Sequence, residues 1–281
     1  MKKFIFSGFT DEYAPEFDRQ LAAAREFALD MIELRGADGI NVGSMTADRV
    51  KTYAEKLRNC GIGVNAAGSP LGKVRLDSDL NAHMEQVRKI CEFANILDTE
   101  NVRVFSFYSP EGGSIWDHKN EVIDNLGRML DIADSFGVTL CHENEGRIYG
   151  ELPHQCMELL DAFGGRLKCV FDMGNYALKQ VDTWQAYLLQ KPYIRYFHIK
   201  DALFNGAIVP PGKGDGQIQK ILADYARDNA QVIFSLEPHL QVFDGLNALV
   251  LEKAFTNPYQ YPSKEAAFAD AVKCMKELME L

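Results

Sequence analysis

Four segments in the second half of the chain each end an apolar run with ionisable side chains. They read LCHENE (140–145), VFDMGN (170–175), YFHIKDA (196–202) and FSLEPHL (234–240), and they carry Glu143, Asp172, His198 and Glu237. Three carboxylates brought together without a cation would repel one another and take up protons. A divalent cation removes that conflict, and oxygen ligands with one imidazole suit Mn²⁺, Mg²⁺, Co²⁺ or Zn²⁺. We therefore expect one divalent metal ion at these four residues, provided that the four runs end at one place in the fold.

Such a meeting place follows from the way strand and helix patterns alternate along the sequence. β-branched and aromatic runs start near residues 4, 31, 63, 102, 138, 168, 194 and 232, and helical patterns fill the intervals. Gly61 and Gly137 mark helix ends, where a left-handed residue is favoured. The alternation predicts an α/β protein: a single (β/α)8 TIM barrel, one domain over residues 1–281, whose strands end at one rim. An open doubly wound sheet is the alternative, but SGFTDEY follows the first strand where a GxGxxG phosphate loop would stand.

The composition limits the classes of partner. With 47% hydrophobic and 25% charged residues, the 281-residue chain has the composition of an ordinary globular protein with a large core. Its 30 basic and 40 acidic residues give a net charge of −10, and so acidic a surface repels nucleic-acid backbones. We find no apolar run that could span a membrane, no signal-peptide core and no CxxC pair among the six cysteines. These features predict a cytoplasmic protein that binds neither nucleic acid nor a membrane.

Seven short motifs, spread over the second to the eighth predicted strand, are similar to those of a known family. They are IELRG (32–36), SPLGK (69–73), HENE (142–145), FDMGN (171–175), HIKDA (198–202), GKGDG (212–216) and LEPHL (236–240). With them the chain resembles the xylose isomerase-like TIM-barrel superfamily, the sugar-phosphate isomerase and epimerase group that also contains endonuclease IV-type repair enzymes. The specific part of this signature is HIKDA together with an acid at the ends of strands five, six and eight.

The resemblance implies that Glu143, Asp172, His198 and Glu237 occupy the family's metal-ligand positions. It also implies that Glu143 and Glu237 exchange substrate protons, as the acids at these positions do in the ketose epimerases of the family. Such a reaction removes a C–H proton beside a carbonyl and passes through an enediolate, helped by a Lewis-acidic metal and by carboxylates on both faces of the sugar. The implied function is a metal-dependent isomerase or epimerase of a keto-sugar, sugar phosphate or related polyol. Where many members have a second His, this chain has Asn175, which can bond a sugar hydroxyl but cannot titrate.

Further rim residues are candidates for substrate contact. Lys200 has inward side-chain parity, so it would bind a substrate oxyanion or form a buried salt bridge. Arg35 would contact the substrate or pair with Glu33, which shares its side of the second strand. Lys73, after the third strand, would meet a phosphate or carboxylate, and His239 lies just beyond the end of the eighth strand with inward parity.

Two other functions remain open at this point. An endonuclease IV-like phosphodiester hydrolase needs several further histidines at strand ends, but strands three and four end in AAGSPLGK and SFYSP, and the whole chain has six histidines. A non-catalytic sugar-binding barrel is the other alternative, although an intact ligand set argues against it. In either sugar-binding case the partner is a small-molecule carbohydrate.

The segment from 240 to 262 is long for a loop in this fold and starts at the rim, after Glu237. It holds Phe243, Phe255, Tyr259 and Tyr261. Long loops without regular structure are often lids or binding loops. The segment would serve either as a hydrophobic wall over the substrate or as a subunit contact in a homo-oligomer.

Overall fold

Eight parallel strands alternate with helices in this computed structural model, which describes residues 3–241 and 258–279. The strands are β1 (Phe4–Gly8), β2 (Met31–Leu34), β3 (Gly63–Ala67), β4 (Asn101–Val104), β5 (Thr139–Glu143), β6 (Lys168–Asp172), β7 (Ile194–Ile199) and β8 (Val232–Leu236). Their order in the sheet is β1-β8-β7-β6-β5-β4-β3-β2, so the last strand pairs with the first. The result is a nearly closed (β/α)8 barrel, and all eight strands lie where the sequence pattern predicts them.

Helices surround this sheet. They are α1 (Phe17–Glu26), α2 (Ala47–Cys60), α3 (Leu80–Ile96), α4 (Lys119–Ser135), α5 (Pro153–Ala162), α6 (Met173–Leu178), α7 (Thr183–Gln190), α8 (Ile218–Asp228) and α9 (Lys264–Met279). Gly61 and Gly137 follow α2 and α4 with φ values of 67° and 70°, which confirms the predicted left-handed helix ends. Two helices, α6 and α7, lie between β6 and β7, so the first of them starts directly at the rim.

The barrel closes between β1 and β2 through a side chain. The backbone N–H of Phe6 donates to Asp30 Oδ2 at 2.8 Å, and the N–H of Asp30 donates to the carbonyl of Phe6 at 2.8 Å. The carbonyl of Asp30 in turn accepts the N–H of Gly63 at 3.2 Å. Asp30, directly before β2, therefore links β1, β2 and β3. The closed ring of parallel strands brings all eight carboxyl ends to one rim.

A small apolar layer lies in the barrel interior below that rim. It consists of Ala66, Cys141, Val170 and Tyr196, all fully buried. The last three precede Glu143, Asp172 and His198 by two positions, so they share the inward face of their strands. This layer supports the polar residues of the rim from beneath.

The predicted long loop is described only in part. Residues 242–257, with Phe243 and Phe255, lie outside the described residues. Tyr261 donates a hydrogen bond from its hydroxyl to Asp270 Oδ2 on α9 at 2.6 Å and packs against the core. The function of this segment as a wall or as a subunit contact thus stays a prediction. Within the described residues, no helix is long and apolar enough to cross a membrane.

Candidate active site

The ends of four neighbouring strands bring four ionisable residues together. Glu143 and Asp172 are the last residues of β5 and β6, His198 lies near the end of β7, and Glu237 follows β8 directly. Each offers one oxygen or nitrogen ligand atom, and these atoms all lie within 4.8 Å of one another. All four residues are buried. The structure therefore assembles the set that the sequence predicts as metal ligands.

The two ring nitrogens of His198 have different surroundings. Its Nδ1 faces three carboxylates, at 3.0 Å from Glu143 Oε1, 3.5 Å from Glu237 Oε2 and 4.0 Å from Asp172 Oδ2. Its Nε2 points the other way and lies 3.1 Å from Glu33 Oε2. The nitrogen that faces the three carboxylates is the one placed to share a cation with them.

Two buried carboxylate oxygens of this cluster make no hydrogen bond. They are Glu143 Oε2 and Asp172 Oδ2. The other oxygen of Asp172, Oδ1, accepts the N–H of Asn175 at 2.8 Å and so caps α6, which fixes the orientation of the carboxylate. Each of these oxygens lies beside a cationic side chain, Glu143 Oε2 at 3.3 Å from Arg103 and Asp172 Oδ2 at 2.9 Å from Lys200, but each keeps lone pairs that a metal ion could use. The donor set thus fits a divalent metal ion of the kind predicted from the sequence.

The three buried acids of the site differ in pKa because they have different charged neighbours. Burial raises the pKa of Asp172 to about 7, and the neighbouring Glu143 and Glu237 add to this effect. Burial also opposes ionisation of Glu143, but His198 and Arg103 outweigh it and lower its pKa to about 2. Lys200 and His239 likewise outweigh burial and hold the pKa of Glu237 well below its usual range. Both glutamates are therefore ionised near neutral pH, as a general base must be.

Lys200 lies among the predicted ligands. Its Nζ is 2.9 Å from Asp172 Oδ2 and 3.2 Å from Glu237 Oε2, and the whole residue is buried. Of the two roles considered for it from the sequence, the buried salt bridge is the one formed here. The ammonium group remains at the rim, so it can also contact a bound substrate.

Two arginines surround the pair of glutamates. Arg103, from the middle of β4, places Nη1 at 3.3 Å from Glu143 Oε2 and 3.8 Å from Glu237 Oε1. Arg35 donates from Nη1 to Glu237 Oε1 at 2.8 Å and holds Asp11 with Nε and Nη2, each at 2.9 Å. Of the two alternatives for Arg35, pairing with Glu33 is not the one found, because Glu33 contacts His198 while Arg35 binds acids that follow β1 and β8.

The remaining predicted substrate contacts surround this centre. Lys73 pairs with Glu145 at 3.1 Å and lies over the ring of Phe105. Asn175 donates to the carbonyl of Asn144 at 2.9 Å, with Glu143 Oε1 at 3.5 Å from the same nitrogen.

His239 lies on the other side of the centre. Its Nε2 is 3.3 Å from Glu237 Oε1 and 3.4 Å from Glu12 Oε1. Its backbone N–H donates to Glu12 Oε2 at 2.8 Å. Lys73, Asn175 and His239 thus all lie at the rim, each held by a neighbouring acid or carbonyl.

Three residues of the site are absent from the sequence-based candidates. Arg103 is the one charged residue in the apolar run VRVF, a pattern that indicates a buried, paired charge without showing where its partners lie. Tyr196 shares inward parity with His198, and its hydroxyl donates to Glu33 Oε1 at 3.0 Å. Glu12 follows β1 in a short 3-10 turn, where no periodic pattern marks it as inward-facing.

The glycine-rich segment after β7 encloses a carboxylate of the protein itself. The N–H groups of Gly212, Gly214 and Gly216 donate to Asp201 at 2.8, 2.9 and 3.0 Å. Asp215, within this segment, does not cap α8; its Oδ2 accepts the N–H of Phe204 at 2.7 Å. The segment is thus fastened beside the rim by Asp201.

A (β/α)8 barrel with ionisable residues clustered at the carboxyl ends of its strands is the architecture of many enzymes. Comparison of the sequence with known families places the chain among them. The family model of the xylose isomerase-like TIM barrel matches residues 21–278, so the chain belongs to this family. No curated protein sequence matches it significantly.

Solved structures share the fold over nearly the whole chain. A D-tagatose 3-epimerase-like protein is 17% identical with a TM-score of 0.74, covering 98% of this chain and 97% of its own. The IOLI protein, solved with a bound zinc atom, is 16% identical with a TM-score of 0.75, covering 99% and 98%. An L-ribulose 3-epimerase is 18% identical with a TM-score of 0.71, covering 98% and 94%. At such identities the similarity concerns the fold.

Proposed function

We propose that the protein is a metal-dependent isomerase or epimerase of a keto-sugar. The observation that carries this proposal is the convergence of Glu143, Asp172, His198 and Glu237 on one buried point at the carboxyl end of the barrel. The family and the epimerases among the structural neighbours support the same reaction class. These four residues would hold one Mn²⁺, Mg²⁺, Co²⁺ or Zn²⁺ ion, and the neighbour solved with a zinc atom supports metal binding by a protein of this fold.

The side chains divide the work of proton transfer among them. When bound, the metal supplies Lewis acidity that makes the C–H bond beside the substrate carbonyl more acidic. Glu143 and Glu237 are ionised, and one of them removes the proton while the other returns it from the opposite face. Arg103 lies between the two carboxylates and stabilises both. Lys200 is placed to balance negative charge that develops on a substrate oxygen.

The charges around the site favour a substrate without a phosphate group. Among the described rim residues, four basic side chains are each already paired with an acid: Lys73 with Glu145, Lys200 with Asp172, Arg35 with Asp11, and Arg103 with Glu143. TIM barrels commonly bind phosphate in the loops after strands seven and eight. Here the N–H groups of the glycines after β7 donate hydrogen bonds to Asp201 instead. A neutral keto-sugar or polyol therefore fits better than a sugar phosphate.

A hydrolase with a cluster of zinc ions finds less support. Near the rim, Glu12, Glu237 and His239 form a second group with metal-ligand geometry. The guanidinium of Arg35 already lies between the two acids of that group, at 2.8 Å from Glu237 and 3.2 Å from Glu12. A second metal ion would have to displace this arginine, which favours a centre with one metal.

Hydrogen exchange into the sugar tests the proposed reaction. The protein is reconstituted with Mn²⁺ and incubated in deuterated water with a panel of unphosphorylated keto-sugars and their phosphate esters. We expect deuterium at the carbon beside the carbonyl of at least one unphosphorylated sugar, measured by NMR. The absence of exchange with every sugar would contradict the proposed chemistry, and exchange with phosphate esters alone would contradict the proposed substrate class.

A further inference from the structure

Glu33 is a buried carboxylate that the proposed proton transfer does not use. It lies on β2, on the opposite side of His198 from the three acids of the metal site, and only 1% of its surface is exposed. A buried carboxylate is costly unless several donors meet it. Its surroundings therefore indicate what it is for.

Both oxygens of Glu33 are engaged by inward-facing residues of a single strand, β7. Oε2 lies 3.1 Å from Nε2 of His198, and Oε1 accepts the hydroxyl hydrogen of Tyr196 at 3.0 Å. Tyr196 and His198 are two positions apart, and their ring centroids are 5.5 Å apart. The hydroxyl of Tyr196 thus holds the carboxylate in the orientation in which it meets the imidazole.

The Glu33 contact matches the tautomer that a metal-bound His198 requires. A metal ion at Nδ1 needs the lone pair of that nitrogen, so the ring proton must then be on Nε2, where Oε2 of Glu33 accepts it. Nδ1 faces Glu143 at 3.0 Å and Glu237 at 3.5 Å, the side on which the metal would lie. The Phe9 ring packs against the imidazole at 5.1 Å between centroids and at 80° between ring planes, which further limits rotation of the imidazole.

From this geometry we infer that Glu33 is a positioning residue for the metal centre, which it serves by fixing the tautomer and orientation of His198. The inference rests on the proposed function, because it takes His198 as a metal ligand. Partners that accept a hydrogen bond from the second nitrogen of a ligating histidine raise its basicity and typically contribute about 10- to 100-fold to metal affinity.

The test uses Co²⁺ as the probe, since its visible spectrum reports on the ligands and its binding can be titrated by calorimetry. Glu33→Ala removes the acceptor, whereas Glu33→Gln keeps an oxygen that can accept from Nε2. Asn65→Ala is the matched control: Asn65 is equally buried, lies on the neighbouring strand β3, and bonds Ser235 and not a predicted ligand. Long-range ¹H–¹⁵N NMR of the parent protein loaded with diamagnetic Zn²⁺ gives the protonated nitrogen of His198 directly.

We expect Glu33→Ala to bind Co²⁺ about 10- to 100-fold more weakly with an altered visible spectrum. Glu33→Gln should lie between Glu33→Ala and the parent, and Asn65→Ala should match the parent. Parent affinity and spectrum in Glu33→Ala, an equal loss in Asn65→Ala, or a His198 protonated on Nδ1 in the metal-loaded parent would each overturn the inference. A parent protein that binds no Co²⁺ would instead contradict the metal centre itself, so the two failures are distinguishable.

Discussion

Arg35 joins the two sides of the barrel seam by donating a hydrogen bond across 2.8 Å to Oε1 of Glu237. The far edge of the guanidinium is held by both oxygens of Asp11, and its face lies 4.4 Å from the centroid of the Phe9 ring. Arginine suits this place because its planar fork can bind two carboxylates and stack on an aromatic ring at once. The orientation of Glu237, a proposed proton-transfer residue, thus depends on Arg35, which directly follows β2, as well as on β8.

Replacing Arg35 with lysine should therefore impair catalysis more than metal binding. Lysine keeps the positive charge but cannot hold Asp11 and Glu237 together, so Glu237 loses its fixed orientation. We expect kcat to fall by about 10²-fold, as is typical when a reacting group is misplaced, while the metal content stays near that of the parent. Steady-state kinetics on the sugar identified by deuterium exchange, with metal analysis of the same samples, measure both. A parent-like kcat would mean that Arg35 does not orient Glu237.

Glu143→Gln and Glu237→Gln test the proton-transfer pair. Glutamine keeps the shape of the side chain but cannot accept the substrate proton, so turnover should fall by about 10²–10⁴-fold. The metal content of each variant must be measured, because both residues are also predicted ligands. If metal-loaded Glu237→Gln turned over its substrate at the parent rate, Glu237 would serve as a ligand only, and the second acid would have to be sought at Lys200 or Glu145.

Asp172→Asn should weaken metal binding without unfolding the barrel. The amide oxygen of asparagine can still accept the N–H of Asn175 and cap α6, but the negative charge is lost. We expect a loss of affinity for Mn²⁺ larger than the roughly 10- to 100-fold typical of an outer-shell change, measured by calorimetry. Asp182→Asn provides the matched control, since Asp182 caps α7 in the same way through Trp184 and Gln185. Equal affinities in the two variants would exclude Asp172 as a ligand.

A methyl group at Gly214 should disturb the segment fastened by Asp201. A Cβ there would overlap Asp201 Oδ1 and the carbonyl of Ala202, so Gly214→Ala should lower the free energy of unfolding by about 1–3 kcal/mol. Gly127→Ala is the control within α4, where the nearest atom belongs to Phe163 at 3.6 Å. That change should stabilise the protein by about 0.5–1 kcal/mol. Thermal unfolding of the parent and both variants ranks the three proteins by stability. A Gly214→Ala protein as stable as the parent would contradict the packing described.

Asp38 should make stability depend on pH. Its carboxylate accepts the N–H of Phe17 at 2.9 Å and the hydroxyl of Tyr53 at 2.6 Å, and these two bonds lower its pKa. A lowered folded-state pKa means that the stabilisation is present above the ordinary value of about 3.9 and is lost as the pH falls through the folded-state value. Asp38→Ala should thus cost at most about 1 kcal/mol near neutral pH, since the residue is exposed, and less at acid pH.

Denaturation of the parent and of Asp38→Ala at neutral pH and near pH 3 measures this difference. Asp48→Ala, at the exposed start of α2, is the control. A difference between parent and Asp38→Ala that grows as the pH falls would contradict the assigned hydrogen bonds.

The sequence was sufficient for the strands and for the four residues of the centre because both depend on local pattern. A residue at the end of a strand lies at the rim, and the alternation of side chains along the strand decides whether it faces the barrel interior. Glu143, Asp172 and Glu237 could therefore be placed from their own segments. Arg103 could not be placed in this way. Its partners come from β5 and β8, and only the closure of the barrel brings these strands near β4.

The same limit applies to the partners of buried charged side chains. Glu33 and Arg35 lie two positions apart on one strand, and sequence proximity alone suggests that they bind each other. In the barrel each finds a better partner from a distant segment, Glu33 from β7 and Arg35 from the turn after β1. Lys73 is paired with Glu145 for the same reason, across 72 positions of the chain.

The bonding of Asp30 to Phe6 has a consequence for how the sequence can vary. At the other seams neighbouring strands are paired through main-chain groups, which every amino acid supplies. At the seam between β1 and β2, one of the two hydrogen bonds between Phe6 and Asp30 needs the carboxylate of Asp30 as acceptor. Asp30 lies before β2, at the opposite end of the strands from Glu237. Selection for an intact ring should therefore restrict substitution at position 30 as narrowly as at the proposed catalytic acids, although Asp30 lies at the opposite end of the barrel from them.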